Sequence, residues 1–321
     1  MGSPNEKIAY LPEVILERDK ERRRLSSHCT TQSMRDTDAA QKRPGPSGQF
    51  SHLATPKDMN NFCVVILAAG KGTRMKSSVQ KVLHTIFGKS MISHIVGVVQ
   101  GLNPDKILVV VGHQKEAVKK ELARDGVVFV EQLKPLGTGD AVKQTEKILK
   151  DYQGNILILC GDTPLLQTKT LKSLLKLHRQ KQPAVTILTA LLGNPFGYGR
   201  IKRNGTGEVE AIVEEADARP EERRIKEINS GVYLFSAPKL FRSLSLIKPD
   251  NVKGEYYLTD AIRILRNNGE RIAACLAKEP EEVLGVNTPA DLEIAQRILA
   301  GRPPSHKTMT IGKSHRRKLD A

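Results

Sequence analysis

The sequence has no tryptophan, and aromatic residues make up only 4% of its 321 residues. A folded core therefore has to be built mainly from aliphatic side chains. No apolar run approaches the roughly 20 residues of a transmembrane helix, so no membrane span is predicted. The amino-terminal segment lacks the apolar stretch of a signal peptide and carries several acidic residues, so a cytoplasmic location is expected.

Cysteine is scarce as well. The four residues, Cys29, Cys63, Cys160 and Cys275, show none of the paired spacings of a metal site. Two of them fall in apolar segments that have the composition of core strands. We interpret them as buried thiols of a protein in a reducing compartment.

Positive charge is in excess, with 51 Lys and Arg against 35 Asp and Glu and a formal net charge of +16. Such a balance requires nucleic-acid binding to be considered. The clearest basic clusters, Arg22–Arg24 and Lys313–Lys318, lie outside the apparent core, and no aromatic residues are interleaved with them. Solvated terminal segments therefore explain the excess better than a nucleic-acid surface.

Residues 1–57 and 302–321 are polar and basic, so we predict one folded domain over residues 58–301 between two disordered extensions. Within that domain apolar strands alternate with helical patterns, which predicts a Rossmann-like, mainly parallel sheet with helices on both faces. The predicted strands are Val64–Ala68, Ile107–Val111, Val127–Val130, Ile156–Cys160 and Val185–Leu191. The predicted helices are Met91–Leu102, Lys115–Ala123, Gly139–Lys150 and Lys169–Gln180.

After Leu192 the pattern changes to shorter segments with polar interruptions, which we predict to form a small antiparallel lobe beside the main sheet. These segments are Gly197–Ile201, Glu208–Glu214 and Asn229–Ser236. Helical patterns return at Leu258–Asn267 and Pro289–Leu299.

The most informative segment begins where the first predicted strand ends. Ala68–Gly70 and Gly72 have little or no side chain, so backbone N–H groups there can turn toward phosphate oxygens. Arg74 and Lys81 add two cations, and together these residues favour a nucleotide triphosphate site. An ordinary glycine-rich turn remains an alternative, because the spacing satisfies neither the Rossmann fingerprint nor the Walker A motif.

Other polar residues at strand ends have two interpretations each. Asp162 follows the apolar strand Ile156–Cys160 and can either hold Mg²⁺ or cap the following turn. Gln132 can read the edge of a pyrimidine through its amide, but the glycines that follow it, around Gly137, also fit a plain helix start. Asn287 stands before Thr-Pro and by itself is typical of a turn or cap.

The string Leu67–Met75, followed by Lys81–His84, resembles the signature of the sugar-nucleotide pyrophosphorylases. The similarity is greatest to the uridylyltransferase domain of bacterial N-acetylglucosamine-1-phosphate uridylyltransferase, and it covers about Phe62–Leu299. The resemblance implies a nucleotide-diphospho-sugar transferase fold. The family pattern has proline before the lysine, where this chain has Gln80, and we expect that departure to loosen the loop while leaving the cation in place.

The resemblance further implies a Mg²⁺-dependent transfer from UTP to N-acetylglucosamine 1-phosphate, a step in making cell-wall precursors. It implies catalytic roles for Arg74 and Lys81, and Mg²⁺ binding by Asp162 and Asn287. The implied substrate-binding residues are Leu67, Ala68, Ala69, Gly70, Lys81, Gln132, Gly137, Thr138, Gly199, Glu214, Asn229 and Asn287. Gly254–Asp260 also matches a family string, and packing and helix capping account for it.

The bacterial enzymes of this family also carry an acetyltransferase on a left-handed β-helix. The hexapeptide repeats of such a β-helix are missing here, so we do not expect that second activity of this chain, and a separate enzyme would supply the acetylated sugar phosphate. We expect a monomer or weak homo-oligomer that binds UTP and a sugar 1-phosphate. Two alternatives stay open: the same fold acting on another pair, for example with dTTP or CTP, and a non-catalytic protein that binds nucleotide sugars.

Overall fold

The computed structural model describes residues 61–301. The predicted extensions, residues 1–57 and 302–321, lie outside the described residues, as does Cys29. The strands between residues 61 and 301 are β1 Phe62–Ala68, β2 Thr85–Ile86, β3 Lys89–Ser90, β4 Lys106–Val111, β5 Val128–Glu131, β6 Asn155–Cys160, β7 Val185–Leu191, β8 Arg200–Arg203, β9 Val209–Val213, β10 Glu227–Ser236 and β11 Ile272–Leu276.

Seven of these strands form the body of one sheet, in the order β11-β7-β10-β6-β1-β4-β5. Strand β1 pairs in parallel with both β4 and β6. Strand β4 also pairs in parallel with β5, and β7 pairs in parallel with β11. Strand β10 is antiparallel to both of its neighbours, β6 and β7. Strands β8 and β9 form an antiparallel ribbon that joins the sheet at β10. The predicted Rossmann-like sheet with an antiparallel addition is therefore confirmed.

The helices cover both faces of this sheet because successive side chains of a strand point to opposite sides. They are α1 Met91–Gln100, α2 Lys115–Glu121, α3 Thr138–Lys143, α4 Glu146–Leu149, α5 Thr168–Lys181, α6 Pro220–Arg223, α7 Ala237–Leu244, α8 Asp260–Asn267 and α9 Pro289–Ala300. In β1, Cys63 and Val65 face one apolar core, to which α3, α4, α7 and α8 contribute. Val64 and Ile66 face the other, to which α1, α2 and α5 contribute.

Three features of the fold differ from the prediction. The helix expected over Gly139–Lys150 is broken into α3 and α4, because the Thr145 hydroxyl takes up the Val142 carbonyl at 2.6 Å. The segment Asn229–Ser236, expected in the antiparallel lobe, runs through the middle of the main sheet as part of β10. A bulge at Asn229–Tyr233 accounts for the polar interruption in its pattern. Helices α6 and α7 and strands β2, β3 and β11 had no counterpart among the predicted elements.

Two expectations from composition can be compared with this fold. Cys63 is buried, Cys160 and Cys275 are partly buried, and burial raises the pKa of all three thiols, that of Cys160 to about 12. Cys63 thus agrees with its interpretation as a buried thiol, whereas Cys160 and Cys275 are only partly buried. None of the helices between residues 61 and 301 is long and apolar enough to cross a membrane.

The parallel strands end along one edge of the sheet, which is where α/β proteins bind ligands. The loop after β1 emerges there, together with Gly112 after β4, Gln132 after β5 and Asp162 after β6. The beginning of β10 reaches the same edge because that strand runs in the opposite direction. The fold therefore gathers most of the candidate residues on one side of the molecule.

Candidate active site

The loop after β1 leaves its backbone accessible beside a lysine side chain. Gly72 has a φ of 61°, in the left-handed region, and begins a 3-10 turn over Thr73–Met75. A Cβ on Gly72 would lie 2.4 Å from the Cβ of Lys81, so only glycine lets the loop pack against that lysine. A Cβ on Gly70 would meet no heavy atom within 4 Å beyond its chain neighbours. A ligand can therefore approach the backbone closely at Gly70.

Gln80 holds this loop in place. Its side chain is buried, and the amide nitrogen donates to the carbonyl oxygens of Ala68 at 3.0 Å and Gly70 at 3.3 Å. The amide oxygen accepts from the Val82 N–H at 2.7 Å and so caps the 3-10 turn Lys81–Leu83. The expectation that this residue loosens the loop is therefore wrong, because one buried side chain ties the loop to the turn that carries the lysine.

Four of the predicted site residues converge next to this loop. The Lys81 ammonium contacts the Asp162 carboxylate and lies 3.2 Å from the side-chain oxygen of Asn287. The Arg74 guanidinium donates to the same Asn287 oxygen at 2.9 Å. Leu67 adjoins the cluster, because its carbonyl accepts from the Gly161 N–H at 2.9 Å. Two cationic side chains and two side chains that offer oxygen atoms, from distant parts of the sequence, thus form one group at the sheet edge.

Hydrogen bonds to backbone groups hold Asp162 and Asn287 side by side. The Val286 N–H donates to the Asp162 carbonyl oxygen at 2.8 Å. The Asp291 carboxylate accepts from the N–H groups of Asn287 at 3.0 Å and Thr288 at 2.9 Å, and Thr288 caps α9 in return. Asn287 therefore directly precedes Thr288, the cap residue of α9. Its side-chain oxygen faces the two cations.

The donor set fits a divalent cation that prefers oxygen ligands. The carboxylate of Asp162 and the amide oxygen of Asn287 already share one cation, the ammonium of Lys81. Both are hard oxygen donors of the kind that Mg²⁺ takes. No three His, Cys, Asp or Glu residues between positions 61 and 301 form a metal-type group. A Mg²⁺ ion at this place would therefore complete its shell with phosphate oxygens and water.

Gln132 lies directly beside the start of the loop. A Cβ on Gly112 would lie 2.9 Å from the Ala69 carbonyl oxygen and 3.2 Å from that of Gln132, so the three backbones are in contact. The Gln132 side chain is mostly buried, and its amide nitrogen donates to the Gly137 carbonyl oxygen at 3.0 Å. The residue predicted to read a pyrimidine thus has its backbone beside the loop predicted to bind phosphate.

Gly137 and Thr138 are held from the other side by the segment Gly254–Asp260. Gly137 has a φ of 114°, and a Cβ on it would lie 2.6 Å from the Tyr256 carbonyl oxygen. The Thr138 hydroxyl accepts from the Leu258 N–H at 3.1 Å. Glycine is therefore required at position 137 both for its conformation and for the close approach of this segment.

Gly199, Glu214 and Asn229 form a second polar group. A Cβ on Gly199 would lie 3.5 Å both from the Asn229 Cβ and from one carboxylate oxygen of Glu214. The other oxygen of Glu214 accepts from the Thr259 hydroxyl at 3.0 Å. Burial raises the pKa of Glu214, and the hydrogen bond from Thr259 offsets part of that rise. The Asn229 amide nitrogen donates to the Tyr233 hydroxyl at 2.6 Å. These groups can make several hydrogen bonds to a sugar ring.

Three residues of this region were not among the predicted site residues. Gln80 braces the loop, Asp140 accepts from the Gln132 amide at 2.8 Å, and Thr259 holds Glu214. The family string Gly254–Asp260 is a signal that could have pointed to Thr259. The side-chain partners of Gln80 and Asp140 depend on tertiary contacts that no local pattern announces.

Comparison with known proteins finds related sequences over most of the described part of the chain. A family model described as nucleotidyl transferase matches residues 63–281. The bifunctional protein GlmU of Lactobacillus helveticus is 49% identical over 239 residues, which make up 74% of this chain and 52% of that protein. The protein of the same name from Streptococcus gordonii is 47% identical over 244 residues, covering 76% and 53%. The chain thus spans about half the length of these curated relatives.

A solved structure shares the fold. The crystal structure of UDP-glucose pyrophosphorylase complexed with UDP-glucose aligns with a TM-score of 0.60 and 19% sequence identity. The alignment covers 75% of this chain and 98% of that one. At this level of identity the similarity concerns the fold alone, and it agrees with the sheet described above.

Proposed function

The chain belongs to the nucleotidyl transferase family, and we propose that it joins UTP to N-acetylglucosamine 1-phosphate, giving UDP-N-acetylglucosamine and pyrophosphate. The observation that carries this proposal is the convergence of Arg74, Lys81, Asp162 and Asn287 beside the open backbone of Gly70. The choice of substrates is supported by the 46–49% identity to GlmU proteins over the shared part of the chain.

The proposed reaction is a single in-line displacement. A phosphate oxygen of the sugar phosphate forms a bond to the α-phosphorus of UTP, and the bond from that phosphorus to the bridging oxygen of pyrophosphate breaks. The acceptor is already an anion, so the reaction needs no protein nucleophile. Catalysis then depends on positioning the two anions and on offsetting their charge.

The cations of the cluster supply much of that charge. Arg74 can donate two hydrogen bonds to phosphate oxygens in one plane, whereas Lys81 acts as a compact charge. Both would stabilise the crowded oxygens around the α-phosphorus and the departing pyrophosphate. Asp162 and Asn287 would hold Mg²⁺, which when bound neutralises phosphate charge and polarises the reacting phosphoryl group. The N–H groups near Gly70 would hold the phosphates in register.

The two remaining groups would bind the ends of the substrates. Gln132, with Gly137 and Thr138 beside it, would hold the uracil ring next to the loop. Gly199 would let the sugar approach closely, and Glu214 and Asn229 would bind its hydroxyl and acetamido groups. The supporting observation is that these residues lie in two compact polar groups along the sheet edge, one next to the phosphate loop and the other at the start of β10.

A pyrophosphate-release assay tests the proposal. We expect release from UTP only when N-acetylglucosamine 1-phosphate is present, with UDP-N-acetylglucosamine identified by mass spectrometry, and loss of the signal in excess EDTA. A panel of UTP, dTTP and CTP with glucose 1-phosphate and N-acetylglucosamine 1-phosphate then ranks the pairs. Faster turnover of a different pair than of UTP with N-acetylglucosamine 1-phosphate, or binding of UDP-sugars with no pyrophosphate release, would contradict the proposed reaction.

A further inference from the structure

Asp140 sits where it can control the orientation of one amide. It lies in the first turn of α3, and one of its carboxylate oxygens accepts from the Gln132 amide nitrogen at 2.8 Å. The other carboxylate oxygen accepts from the amide nitrogen of Gln144 at 3.0 Å. The Gln132 nitrogen also donates to the Gly137 carbonyl oxygen at 3.0 Å. One nitrogen of Gln132 therefore serves two acceptors.

These partners leave Gln132 a single favourable orientation. The nitrogen and oxygen of a glutamine amide are distinguished by the hydrogen bonds they make. An ionised carboxylate and a backbone carbonyl can only accept, so the nitrogen must face Asp140 and Gly137. Rotation of the amide by half a turn would set its oxygen against two other acceptors and lose both hydrogen bonds. Such a loss is strongly unfavourable in a mostly buried site, because the polar groups are left without partners.

The amide oxygen of Gln132 consequently points the other way. It has no hydrogen-bond partner between residues 61 and 301, and it is not sealed from solvent. The backbone of Gln132 lies beside the loop, because the carbonyl oxygens of Gln132 and Ala69 both approach Gly112. The site therefore presents one fixed acceptor to whatever base lies next to the phosphate loop.

A fixed acceptor distinguishes the pyrimidines by chemistry. Uracil and thymine carry an N–H donor at N3, whereas cytosine has a lone pair at that position. An acceptor facing N3 forms a hydrogen bond with the first two and repels the third. Discrimination of this kind, where a wrong partner leaves polar groups unpaired, is much stronger than discrimination by shape in an apolar pocket.

We propose that Asp140 is a specificity-determining residue, which locks the Gln132 amide so that the site accepts a base with an N3 donor and rejects cytosine. The proposal rests on the proposed function for the identity of the ligand as a nucleotide. Asp140 acts through Gln132 and makes no contact with the base itself. An acidic residue in the first turn of a helix also stabilises that helix, so the test needs a readout that a merely structural role would not change.

That readout is the ratio of kcat/KM for UTP to kcat/KM for CTP, measured at constant sugar phosphate for the wild type, Asp140→Asn and Asp140→Ala. We expect the wild type to prefer UTP by at least about 100-fold. In both variants Gln132 loses its charged acceptor and keeps only the Gly137 carbonyl, so its nitrogen can turn to the base more easily and the ratio falls by at least about tenfold. Glu146→Gln, which changes an acid in the first turn of the neighbouring helix α4, is the matched control and keeps the wild-type ratio.

Two results would overturn the proposal: a wild type that uses UTP and CTP within tenfold of each other, or an Asp140→Asn variant with the wild-type ratio. Thermal unfolding shows whether the variants fold. If the Asp140 variants do not, Gln132→Met takes their place. This variant removes the amide at similar volume and must also lose the preference for UTP, so an unchanged ratio overturns the proposal.

Calorimetric binding of UDP and CDP to the same variants separates this proposal from the proposed function. A protein without turnover that still prefers UDP, and loses that preference in Asp140→Asn, contradicts the proposed reaction and supports the role of Asp140. A protein that turns over UTP, but whose preference for UDP over CDP is the same in the wild type and in Asp140→Asn, supports the proposed reaction and contradicts the role of Asp140.

Discussion

The ammonium of Lys81 contacts the carboxylate of Asp162, and the same nitrogen lies 3.2 Å from the side-chain oxygen of Asn287. The lysine thus stands between the two oxygen donors that we propose for Mg²⁺. A metal ion and this ammonium compete for the same oxygens until a triphosphate offers Lys81 another anionic partner. Metal binding should therefore be weak in the free protein and strong in the presence of nucleotide.

Replacing the lysine tests this competition without measuring activity. We expect Lys81→Met to bind Mn²⁺ at least about tenfold more tightly than the wild type in the absence of nucleotide, since a positive charge next to the site is removed. Electron paramagnetic resonance of free Mn²⁺ measures the change. Lys106→Met, at the opposite end of the sheet, is the control and binds like the wild type. Equal Mn²⁺ affinity of Lys81→Met and wild type would contradict the competition.

The brace made by Gln80 gives a second prediction. Gln80→Ala removes hydrogen bonds to Ala68, Gly70 and Val82, so the loop and Lys81 lose their common support. Since a hydrogen bond contributes roughly 1 kcal/mol, kcat/KM for UTP should fall about 10–100-fold. Steady-state kinetics with varied UTP measures this loss.

A proline at position 80 would separate two ways of fixing this loop, namely the backbone conformation at that position and the side-chain hydrogen bonds of Gln80. Gln80 has a φ of −57° and a ψ of 136°, which a proline can adopt, so Gln80→Pro keeps the backbone while losing the side-chain bonds. We expect its kcat/KM to lie between those of Gln80→Ala and the wild type. Gln100, the last residue of α1, donates a comparable hydrogen bond to the Asp125 carbonyl oxygen. Gln100→Ala removes that bond and should leave the kinetics unchanged. Activity of Gln80→Ala within twofold of the wild type would show that the brace is unimportant.

The buried carboxylate of Glu214 gives a third prediction, on pH. Burial raises the pKa of Glu214 in the folded chain, so the folded state holds this proton more tightly than the unfolded state does. The free energy of unfolding therefore loses a contribution as pH rises through the folded pKa. Glu214→Gln has no such proton to lose. Its melting temperature should exceed that of the wild type at pH 8, and the difference should disappear below pH 4.

The same substitution should weaken substrate binding. A hydrogen bond to a charged group contributes roughly 1.5–3 kcal/mol, so KM for the sugar phosphate should rise by about tenfold or more while KM for UTP stays near the wild-type value. Glu210→Gln is the control for both measurements, because Glu210 lies on β9, just before Glu214, and pairs with Lys202 at 3.0 Å. A destabilised Glu214→Gln at pH 8 would contradict the assigned sign of the pKa effect.

The sequence was a good guide to the parallel part of the fold. Strand Val185–Leu191 has the predicted bounds because a run of aliphatic and β-branched residues, broken only by Thr186 and Thr189, follows Pro183, and such runs are typical of strands buried on both faces. Strand β10 was misplaced because the polar residues at its bulge interrupt the apolar pattern. Its position in the middle of the sheet depends on pairing with β6 and β7, which a local pattern does not encode.

The site residues also divide into those that the sequence could predict and those that it could not. The meeting of Arg74, Lys81 and Asp162 follows from topology, since parallel strands end at one edge of the sheet. Asn287 follows no strand directly, and its place next to Asp162 depends on one backbone hydrogen bond from Val286, so the family resemblance was its only signal. The partners of Gln80 were beyond prediction, because they exist only once the loop has folded.

We propose that Asp162 would hold the metal ion that neutralises phosphate charge, and turnover of Asp162→Ala at saturating Mg²⁺ tests this role most directly. Asp151→Ala, an exposed acid elsewhere in the domain, is the control with wild-type activity. We predict that Asp162→Ala loses about 10²–10³ in kcat with UTP and N-acetylglucosamine 1-phosphate while keeping its fold. More than a tenth of the wild-type turnover in that variant would contradict the account.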